Sequence, residues 1–327
     1  MAGMFRLFPV LFLLVSCSNS ADMHETRFIM GTLVEFTVAD ADPELAENAI
    51  RQAAEEMQRI DDMFTIYRER DNSVKRFNRS RPGTSVRLDN EVARILSLAL
   101  AIQQESNGAF NPALGRLNRL WGFSMEPLPS HPPSEDAIRA SIPPAGCIRK
   151  DGNEWSRTSE RCELDFGAIA KGYAIDRGIA VLRRAGIQHA IINAGGDIRV
   201  IGSHHGKPWR IGLRHPRSAG DVLGTIEVKG DVSIVTSGDY ERFYIDRGRR
   251  YHHILDPESG HPAALSQSAT VIAETATLAD AWSTALFVLG PTGLKLLERR
   301  QMPALVVDRR GRLHVNGPMR AIFQPAS

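Results

Sequence analysis

The stretch Leu164-Asp165-Phe166-Gly167-Ala168-Ile169-Ala170-Lys171-Gly172-Tyr173 marks a change from strand to helix near the middle of the chain. A strand ends near Asp165, Gly167 provides a turn, and the following helix runs from Lys171 to a glycine stop at Gly186. This geometry directs free backbone amides and the positive end of the helix dipole at an anion. Lys171 could add a point charge for a phosphate. The same residues are equally compatible with a tight packing turn and a surface lysine.

On both sides of this stretch, strand and helix patterns follow one another without regular βαβ alternation. Arg27 to Val38 predicts one strand, Asp42-Pro43 predicts the start of a helix, and a second helix is expected from about Asp89 to Ser106. The later part is richer in strands, which are expected at 189–193, 208–214, 222–228, 232–236, 240–246, 250–255 and 268–273, before a helix at 277–289. This order indicates an α+β fold.

The composition is that of an ordinary globular protein. The chain has 327 residues, of which 43% are hydrophobic and 24% charged, and its formal net charge is +2. A charge this small gives no reason to expect a nucleic acid as partner. No apolar stretch reaches the roughly 20 residues that a membrane-spanning helix needs.

The N-terminus has the pattern of a bacterial lipoprotein signal. Arg6 is followed by the apolar run Leu7 to Val15, and then by Leu14-Val15-Ser16-Cys17 at the expected cleavage point. We therefore expect residues 1–16 to be a signal peptide, Cys17 to carry the lipid, and residues 17–25 to form a tether. The alternative is an ordinary signal peptide with an incidental cysteine.

Cys147 and Cys162 flank a predicted hairpin whose turn contains Asp151-Gly152. Export would place both cysteines in an oxidising compartment, where a disulfide across the hairpin is possible. Two buried free thiols are an equally good interpretation of the sequence.

Asp280 and Thr284 are four residues apart on a predicted helix, so both side chains project from one face. A carboxylate and a hydroxyl are hard oxygen ligands of the kind that Mg²⁺ prefers. The spacing is also common on solvated helix faces, but here the neighbouring residues are apolar, and a buried aspartate needs a partner.

Three further motifs could belong to the same site. Asn193 to Asp197 contains paired glycines that allow a ligand to approach the backbone, although it does not fit the dinucleotide fingerprint. His252 and His253 are neighbours on a strand and face opposite sides, so at most one enters a given pocket and could act there as a base. Gly108 to Pro112 and the following Leu120 to Phe123 could provide an aromatic wall. Each motif is also compatible with a purely structural role.

Taken in order, these motifs resemble the ApbE family of FAD:protein FMN transferases. The matching segments cover nearly the whole mature chain. They are Met30-Gly31-Thr32, Tyr67, Ser73 to Asn78, Gly108 to Pro112, Leu164 to Asp176, Asn193 to Asp197, Thr236 to Tyr240, His253 to Pro257 and Ala279 to Gly290. The resemblance implies a composite, T-fold-related architecture of mixed and antiparallel sheets flanked by helices. It also implies that residues 26–327 form one FMN transferase domain of two interleaved α+β subdomains.

The resemblance implies a role for individual residues. Asp280 and Thr284 would be side-chain ligands of Mg²⁺, Ala168 would add its carbonyl oxygen, and Ser283 is a further candidate ligand. His253 would be the catalytic base. The FAD site would be lined by Met30, Tyr67, Ala109, Phe110, Asn111, Asp165, Lys171 and Ile254. Asn111 stands where the family usually has aspartate, so it can hydrogen-bond a ring edge but brings no negative charge.

The implied reaction is the Mg²⁺-dependent transfer of the FMN half of FAD to a threonine or serine hydroxyl of another protein, with release of AMP. The implied acceptor is a flavoprotein subunit of a membrane redox complex. An FAD pyrophosphatase and a non-catalytic flavin-binding lipoprotein are the alternatives. The expected location is the periplasmic side of the bacterial inner membrane, with the outer membrane as the alternative.

Overall fold

The computed structural model describes residues 22–326. The predicted signal peptide, Cys17 and the first part of the predicted tether lie outside the described residues. Within residues 22–326, none of the helices combines the length and the apolar character needed to span a bilayer.

An eight-stranded sheet forms the centre of the molecule. Its strands, in spatial order, are β1 (Met23–Ile29), β2 (Thr32–Val38), β5 (Ala190–Ala194), β6 (Asp197–Ile201), β9 (Val232–Gly238), β12 (Ser266–Ala273), β13 (Ala304–Asp308) and β14 (Leu313–Val315). All seven pairings between neighbours in this sheet are antiparallel. Strands and helices are not arranged as βαβ units, so the predicted α+β class is confirmed.

Helices cover one face of this sheet and the ends of its strands. They are α1 (Pro43–Phe64), α2 (Ser73–Arg79), α3 (Asn90–Glu105), α4 (Gly115–Trp121), α5 (Glu135–Arg139), α6 (Ala170–Arg184), α7 (Ala276–Leu289), α8 (Leu294–Arg299) and α9 (Gly317–Arg320). The side chain of Asp42 accepts a hydrogen bond from the backbone N–H of Leu45, with Pro43 in the first turn, which confirms the predicted start of α1. Helix α6 packs against both α1 and α7.

The large sheet is buried on both faces. Along β13, Ala304 and Val306 belong to the core shared with α1, α6 and α7. Leu305 and Val307 point the other way, into a second core beneath a smaller sheet. This alternation follows from the two-residue period of a strand. The smaller sheet consists of β15 (Phe323–Pro325), β8 (Val222–Val228) and β7 (Trp209–Arg214).

Two hairpins complete the described structure. The first is β3 (Ile148–Asp151) with β4 (Glu154–Arg157), and the second is β10 (Phe243–Asp246) with β11 (Arg249–His252). Cys147 and Cys162 are joined by a disulfide beside the first hairpin, with Cα atoms 6.0 Å apart, so the structure settles the alternative in favour of the bridge. The two bridged residues are 15 apart in sequence.

The prediction of one strand from Arg27 to Val38 was wrong. The chain turns back at Met30 and Gly31, and Ile29 pairs with Thr32 across a two-residue turn. Both turn residues have positive φ angles, +55° for Met30 and +72° for Gly31. Such turns usually place Asn or Gly first, so methionine gave no sequence signal for the reversal. Strand β6 and helices α2 and α4 were also not predicted. The division into two interleaved subdomains remains a prediction.

Candidate active site

A cleft of about 480 Å³ opens at one end of the large sheet. This volume lies within the usual range for small-molecule sites. Twelve of the thirteen residues predicted for the site within residues 22–326 line it: Met30, Tyr67, Ala109, Phe110, Asn111, Asp165, Ala168, Lys171, His253, Ile254, Asp280 and Thr284. They come from six separate segments of the chain, so the fold brings together residues that are up to 254 positions apart.

Close packing of α6 against α7 creates the floor of the cleft. Gly172 on α6 lies so near α7 that a Cβ atom at this position would be 2.1 Å from the carbonyl oxygen of Ala276 and 2.8 Å from the Cβ of Asp280. The backbone N–H of Gly172 donates a hydrogen bond to Asp280 Oδ2 at 2.9 Å. The glycine therefore allows the start of α6 and the carboxylate on α7 to share one site.

Three charged side chains meet at this floor, where Asp197 and Asp280 are buried and Lys171 is partly buried. Lys171 Nζ lies 2.7 Å from Asp197 Oδ2, and Asp280 is the second carboxylate beside the same lysine. One positive charge thus faces two negative charges in a region of low polarity. Burial, followed by repulsion from Asp197, raises the pKa of Asp280 to about 7. When both carboxylates are ionised, these three side chains therefore carry a net charge of minus one.

A divalent cation fits this donor set. Among the described residues, the carboxylate of Asp280 receives only the hydrogen bond from Gly172, which leaves Oδ1 free to bind an ion. Thr284 presents its hydroxyl to the same cleft, and Ala168 lines it at the turn before α6. Carboxylate, hydroxyl and carbonyl oxygens suit Mg²⁺.

Ser283 is the one predicted residue that does not line the cleft. Its side chain is fully buried, and its hydroxyl donates a hydrogen bond to the backbone oxygen of Asp280 at 2.9 Å. The same hydroxyl lies 2.8 Å from the hydroxyl of Ser237. In this arrangement Ser283 positions the turn of α7 that carries Asp280.

Asp165 organises the wall opposite the helix floor. Its carboxylate accepts hydrogen bonds from the Tyr67 hydroxyl at 2.6 Å, from Asn118 Nδ2 at 2.8 Å and from the backbone N–H of Gly167 at 2.8 Å. Burial, together with the charge of Asp165, raises the pKa of Tyr67 well above its usual value. Tyr67 therefore stays protonated and keeps donating to Asp165. Asn118 was not predicted, because α4 itself was missed.

The β1–β2 turn forms one rim of the cleft. The backbone N–H of Met30 donates to Asp61 Oδ2 at 3.2 Å, and Arg68 lies 2.6 Å from the same oxygen. This tertiary contact holds Met30 in its left-handed conformation. A strained backbone at a site rim is a common feature of functional sites. Asp61 was not identified from the sequence, where it is one of several acidic residues in α1.

Two aromatic residues of the predicted wall, Phe110 and Phe123, line the cleft, whereas Trp121 does not. Trp121 is fully buried and its Nε1 donates to the carbonyl oxygen of Gly260 at 2.8 Å, so it lies behind the cleft. It stacks on Phe123, which does line the cleft, with ring centroids 5.9 Å apart. Asn111 uses its side-chain oxygen to accept a hydrogen bond from the N–H of Ala113, at 2.9 Å, which leaves its NH₂ group for a ligand.

The two neighbouring histidines separate as predicted. His252 packs away from the cleft and its Nε2 lies 2.9 Å from the carbonyl oxygen of Ala263. His253 lines the cleft, and its buried Nδ1 has no hydrogen-bond partner among the described residues. Burial, followed by repulsion from His252 and Arg242, lowers the pKa of His253 to about 3. His253 is thus neutral near pH 7, which is the form of imidazole that can accept a proton.

Other polar residues of the cleft were not predicted individually. Asp197, Thr236 and Ser237 lie within motifs noted in the sequence, whereas Glu241 and Arg242 follow the motif that ends at Tyr240. Asp197 could have been suspected, because the paired glycines before it indicate a close approach and a partly buried lysine needs a carboxylate.

Comparisons with known proteins agree with this geometry. A protein-family model described as the ApbE family matches residues 30–306. Two relatives named FAD:protein FMN transferase, from Vibrio cholerae and Klebsiella pneumoniae, are 29% and 31% identical. Each match covers 91% of this chain, with 91% of the Vibrio protein and 92% of the Klebsiella protein. A relative of the same name from Rhodobacter capsulatus is 30% identical over 84% of this chain, and the match spans 53% of that longer protein.

Solved structures show the same fold. The ApbE protein of Thermotoga maritima superimposes with a TM-score of 0.84 at 34% identity, covering 93% of this chain and 100% of that one. The flavin transferase ApbE of Vibrio cholerae gives a TM-score of 0.79 at 27% identity, with 92% and 99% covered. The sequence match, the shared fold and the cleft together show that this chain belongs to the ApbE family.

Proposed function

We propose that this protein is an FAD:protein FMN transferase, which moves the FMN half of FAD to a hydroxyl of another protein and releases AMP. The observation that carries the proposal is the meeting of two elements in one cleft: the turn before α6 with Lys171, and the face of α7 with Asp280 and Thr284. The relatives from Vibrio cholerae and Klebsiella pneumoniae bear the same activity in their names.

The donor set of the floor supports Mg²⁺ as the cofactor. Asp280, Thr284 and the carbonyl oxygen of Ala168 would hold the ion, and Ser283 would support Asp280 from behind. When bound, the ion would neutralise negative charge on the phosphate oxygens. It would also supply the positive charge that the pair of carboxylates beside Lys171 lacks.

The residues of the chain then have separate tasks in the transfer. With a cation held by Asp280, the excess negative charge of the floor would be neutralised, and Lys171 and the start of α6 would then favour an anion there. The acceptor oxygen forms a bond to the phosphorus on the FMN side, and the bond from that phosphorus to the bridging oxygen breaks, so AMP leaves. His253 lines the cleft as a neutral imidazole and would accept the proton of the acceptor hydroxyl. Positioning and charge neutralisation are the main means of catalysis for such reactions.

The acceptor is proposed to be a threonine or serine of a flavoprotein subunit in a membrane redox complex. The predicted lipid on Cys17 would tether the enzyme to the membrane and so favour a membrane-bound acceptor. The periplasmic side of the inner membrane is the proposed location. We expect Cys17→Ser to move the protein from the membrane fraction to the soluble fraction of the periplasm. An unchanged membrane fraction would show that the lipid anchor was wrongly assigned.

One assay tests the activity. The purified full-length chain is incubated with FAD, Mg²⁺ and a candidate acceptor, and covalent flavin fluorescence is read on a denaturing gel while AMP is quantified. We expect fluorescence on the acceptor and AMP in equal amounts. AMP without fluorescence would indicate a pyrophosphatase, and neither product would indicate a flavin-binding protein.

Asp280→Ala is the matching variant, and we expect it to abolish transfer at saturating FAD. Asp136→Ala is the control, because Asp136 is an exposed carboxylate on α5 whose partner is Arg139. Transfer by Asp280→Ala at the rate of this control would refute the assignment of the cation site.

A further inference from the structure

A second cluster of ligating side chains lies at the end of the sheet opposite the cleft. The sheet register places Met23, Val38, Ala190 and Ile201 in one row across β1, β2, β5 and β6. Asp22, Asp40 and the turn after β6 extend beyond this row. The cleft instead adjoins the other ends of the same strands, at Met30 and Asp197. Strand β1 has seven residues, so the two sites are separated by roughly 20 Å.

The cluster consists of Asp22, His204 and His205. His204 Nε2 lies 2.7 Å from Asp22 Oδ2, and His205 Nε2 lies 2.9 Å from Asp22 Oδ1. One ligand atom from each residue can be chosen so that all three lie within 4.8 Å of one another. Ligand atoms around one tetrahedral zinc ion are roughly 3.3 Å apart, since each is about 2 Å from the metal. Small side-chain adjustments would therefore suffice to place all three on one ion.

The surroundings of the cluster resemble the outer shell of a metal site. His205 Nδ1 lies 2.6 Å from Asp40 Oδ1, so a carboxylate orients this ring from the side away from Asp22. Histidine ligands of zinc are commonly held in this way. The ring of His204 stacks on Trp209, with centroids 4.7 Å apart and planes inclined by 20°. Both rings thus have neighbours that fix their direction.

The backbone of the turn also favours convergence of the rings. His204 and Lys207 form a reciprocal pair of backbone hydrogen bonds, and His205 and Gly206 between them have φ angles of +49° and +78°. A two-residue turn of this type normally carries Asn-Gly or Gly-Gly. With histidine at the first position, both imidazoles lie on the side of Asp22. An asparagine at this position would leave only the ring of His204 there.

We propose that Asp22, His204 and His205 bind a divalent transition-metal ion of the zinc class. Two imidazoles and one carboxylate are a common ligand set for zinc, and a water or a fourth ligand completes the tetrahedron. Imidazole ligands discriminate against Mg²⁺, which prefers oxygen. The cluster and the cleft therefore select different metals.

The ion would fix the N-terminal segment to the body of the protein. Asp22 directly precedes β1, an edge strand of the sheet, whereas the two histidines belong to the turn between β6 and β7. A metal bridging them would join residues 182 and 183 positions apart. It would hold β1 at its N-terminal end. Residues 23–25, which were predicted as part of the tether, belong to this strand and hence to the sheet. This inference does not depend on the proposed function.

Zinc binding is the direct test. The full-length chain, purified in detergent and stripped with a chelator, is dialysed against ZnCl₂ with excess Mg²⁺, and bound zinc is measured by elemental analysis. Excess Mg²⁺ occupies the proposed oxygen site in the cleft. We expect one zinc per chain, and visible absorption bands of histidine-bound Co²⁺ when cobalt replaces zinc.

Variants then locate the ion. We expect His204→Ala with His205→Ala to lose the bound zinc and the cobalt bands, and Asp40→Asn to weaken binding by about 10–100-fold. His131→Ala is the matched control, because His131 is an exposed histidine that lies 3.1 Å from Asp246 and far from the cluster. The control should bind zinc as the wild type does, and circular dichroism should show the same fold in all variants. Absence of zinc from the wild type, or unchanged binding in the double histidine variant, would overturn the proposal.

Discussion

His253 is the residue whose position bears most directly on the chemistry. Its ring lines the cleft, its Nδ1 has no partner among residues 22–326, and burial keeps the imidazole neutral. A neutral imidazole is the form that accepts a proton. A histidine that merely packed against the core would instead have its ring nitrogens engaged, as His252 does.

We expect His253→Gln to lower the rate of FMN transfer by about 10²–10⁴-fold, because the acceptor hydroxyl loses its base. FAD binding should change little, and the loss should therefore appear in kcat. Single-turnover transfer and an FAD titration measure the two effects separately. The control is His131→Gln at an exposed site. A transfer rate within a few-fold of the wild type would exclude His253 as the base.

Asp280 shows how the charges at the cleft floor make the stability of the folded protein depend on pH. Its pKa is raised to about 7 in the folded protein, first by burial and then by Asp197. The unfolded chain has an ordinary aspartate, which ionises near pH 4. The folded protein therefore holds the proton of Asp280 more tightly than the unfolded chain does. This contribution to the free energy of unfolding is fully present below about pH 4, and it is lost as the pH rises through 7.

We expect Asp280→Asn to abolish transfer and to stabilise the metal-free protein at pH 8 by at least about 1 kcal/mol, since one pKa unit corresponds to about 1.4 kcal/mol. The advantage of the variant should shrink towards pH 5. Mg²⁺ should stabilise the wild type but not the variant. Denaturant unfolding at both pH values, with Asp136→Asn as control, measures this. A variant less stable than the wild type at pH 8 would contradict the account.

At the scale of elements, the contact between α6 and α7 determines whether the site exists. Neither helix carries the site alone: α6 brings Lys171 and α7 brings Asp280 and Thr284. Asp176 on α6 strengthens the contact, since its carboxylate accepts hydrogen bonds from the N–H groups of Ala276 and Thr277 at the start of α7. The two helices are therefore joined by a capping interaction as well as by packing.

We expect Gly172→Ala to destabilise the protein by about 1–3 kcal/mol and to weaken FAD binding, because the added methyl group would meet the backbone of Ala276. Gly178→Ala is the control on the same helix. The nearest atoms to its methyl group would be side-chain atoms of Ile192 and Met57 rather than backbone, and alanine favours a helix over glycine. Unfolding and FAD titrations of both variants test this. Equal behaviour of the two variants would show that the close approach has no role.

At the scale of the whole molecule, buried neutral histidines couple the fold to pH. Burial lowers the pKa of His252 to about 4 and that of His253 to about 3. The unfolded chain binds a proton at each histidine near pH 6.5, whereas the folded protein does not. Stability is therefore unaffected above pH 6.5 and falls as the pH drops towards 4.

We expect the stability difference between wild type and His252→Gln to change by about 2 kcal/mol between pH 7 and pH 5, in favour of the variant. Comparing the variant with the wild type cancels the contributions of the carboxylates that both proteins retain. Denaturant unfolding at each pH gives the difference, and His131→Gln should show no such change. A pH-independent difference would mean that the pKa of His252 in the folded protein equals its value in the unfolded chain.

The sequence by itself determined the fold class and the main helices, because strand alternation, helix caps and glycine turns are local signals. Asp42-Pro43 capping α1 and Gly290 ending α7 are examples, and both lie where the sequence placed them. The family resemblance then assigned residues from distant segments to one site. It could do so without geometry because the order of the motifs is itself specific.

Only the tertiary structure decided the reversal at Met30, the position of Trp121 behind the cleft and the pairing of Lys171 with Asp197. Each depends on a contact between residues far apart in sequence, such as the bond from Met30 to Asp61. The same holds for Asp22 with His204 and His205, which the register of four strands brings to one end of the sheet. Local propensity carries no information about such contacts, since they exist only after the chain has closed on itself.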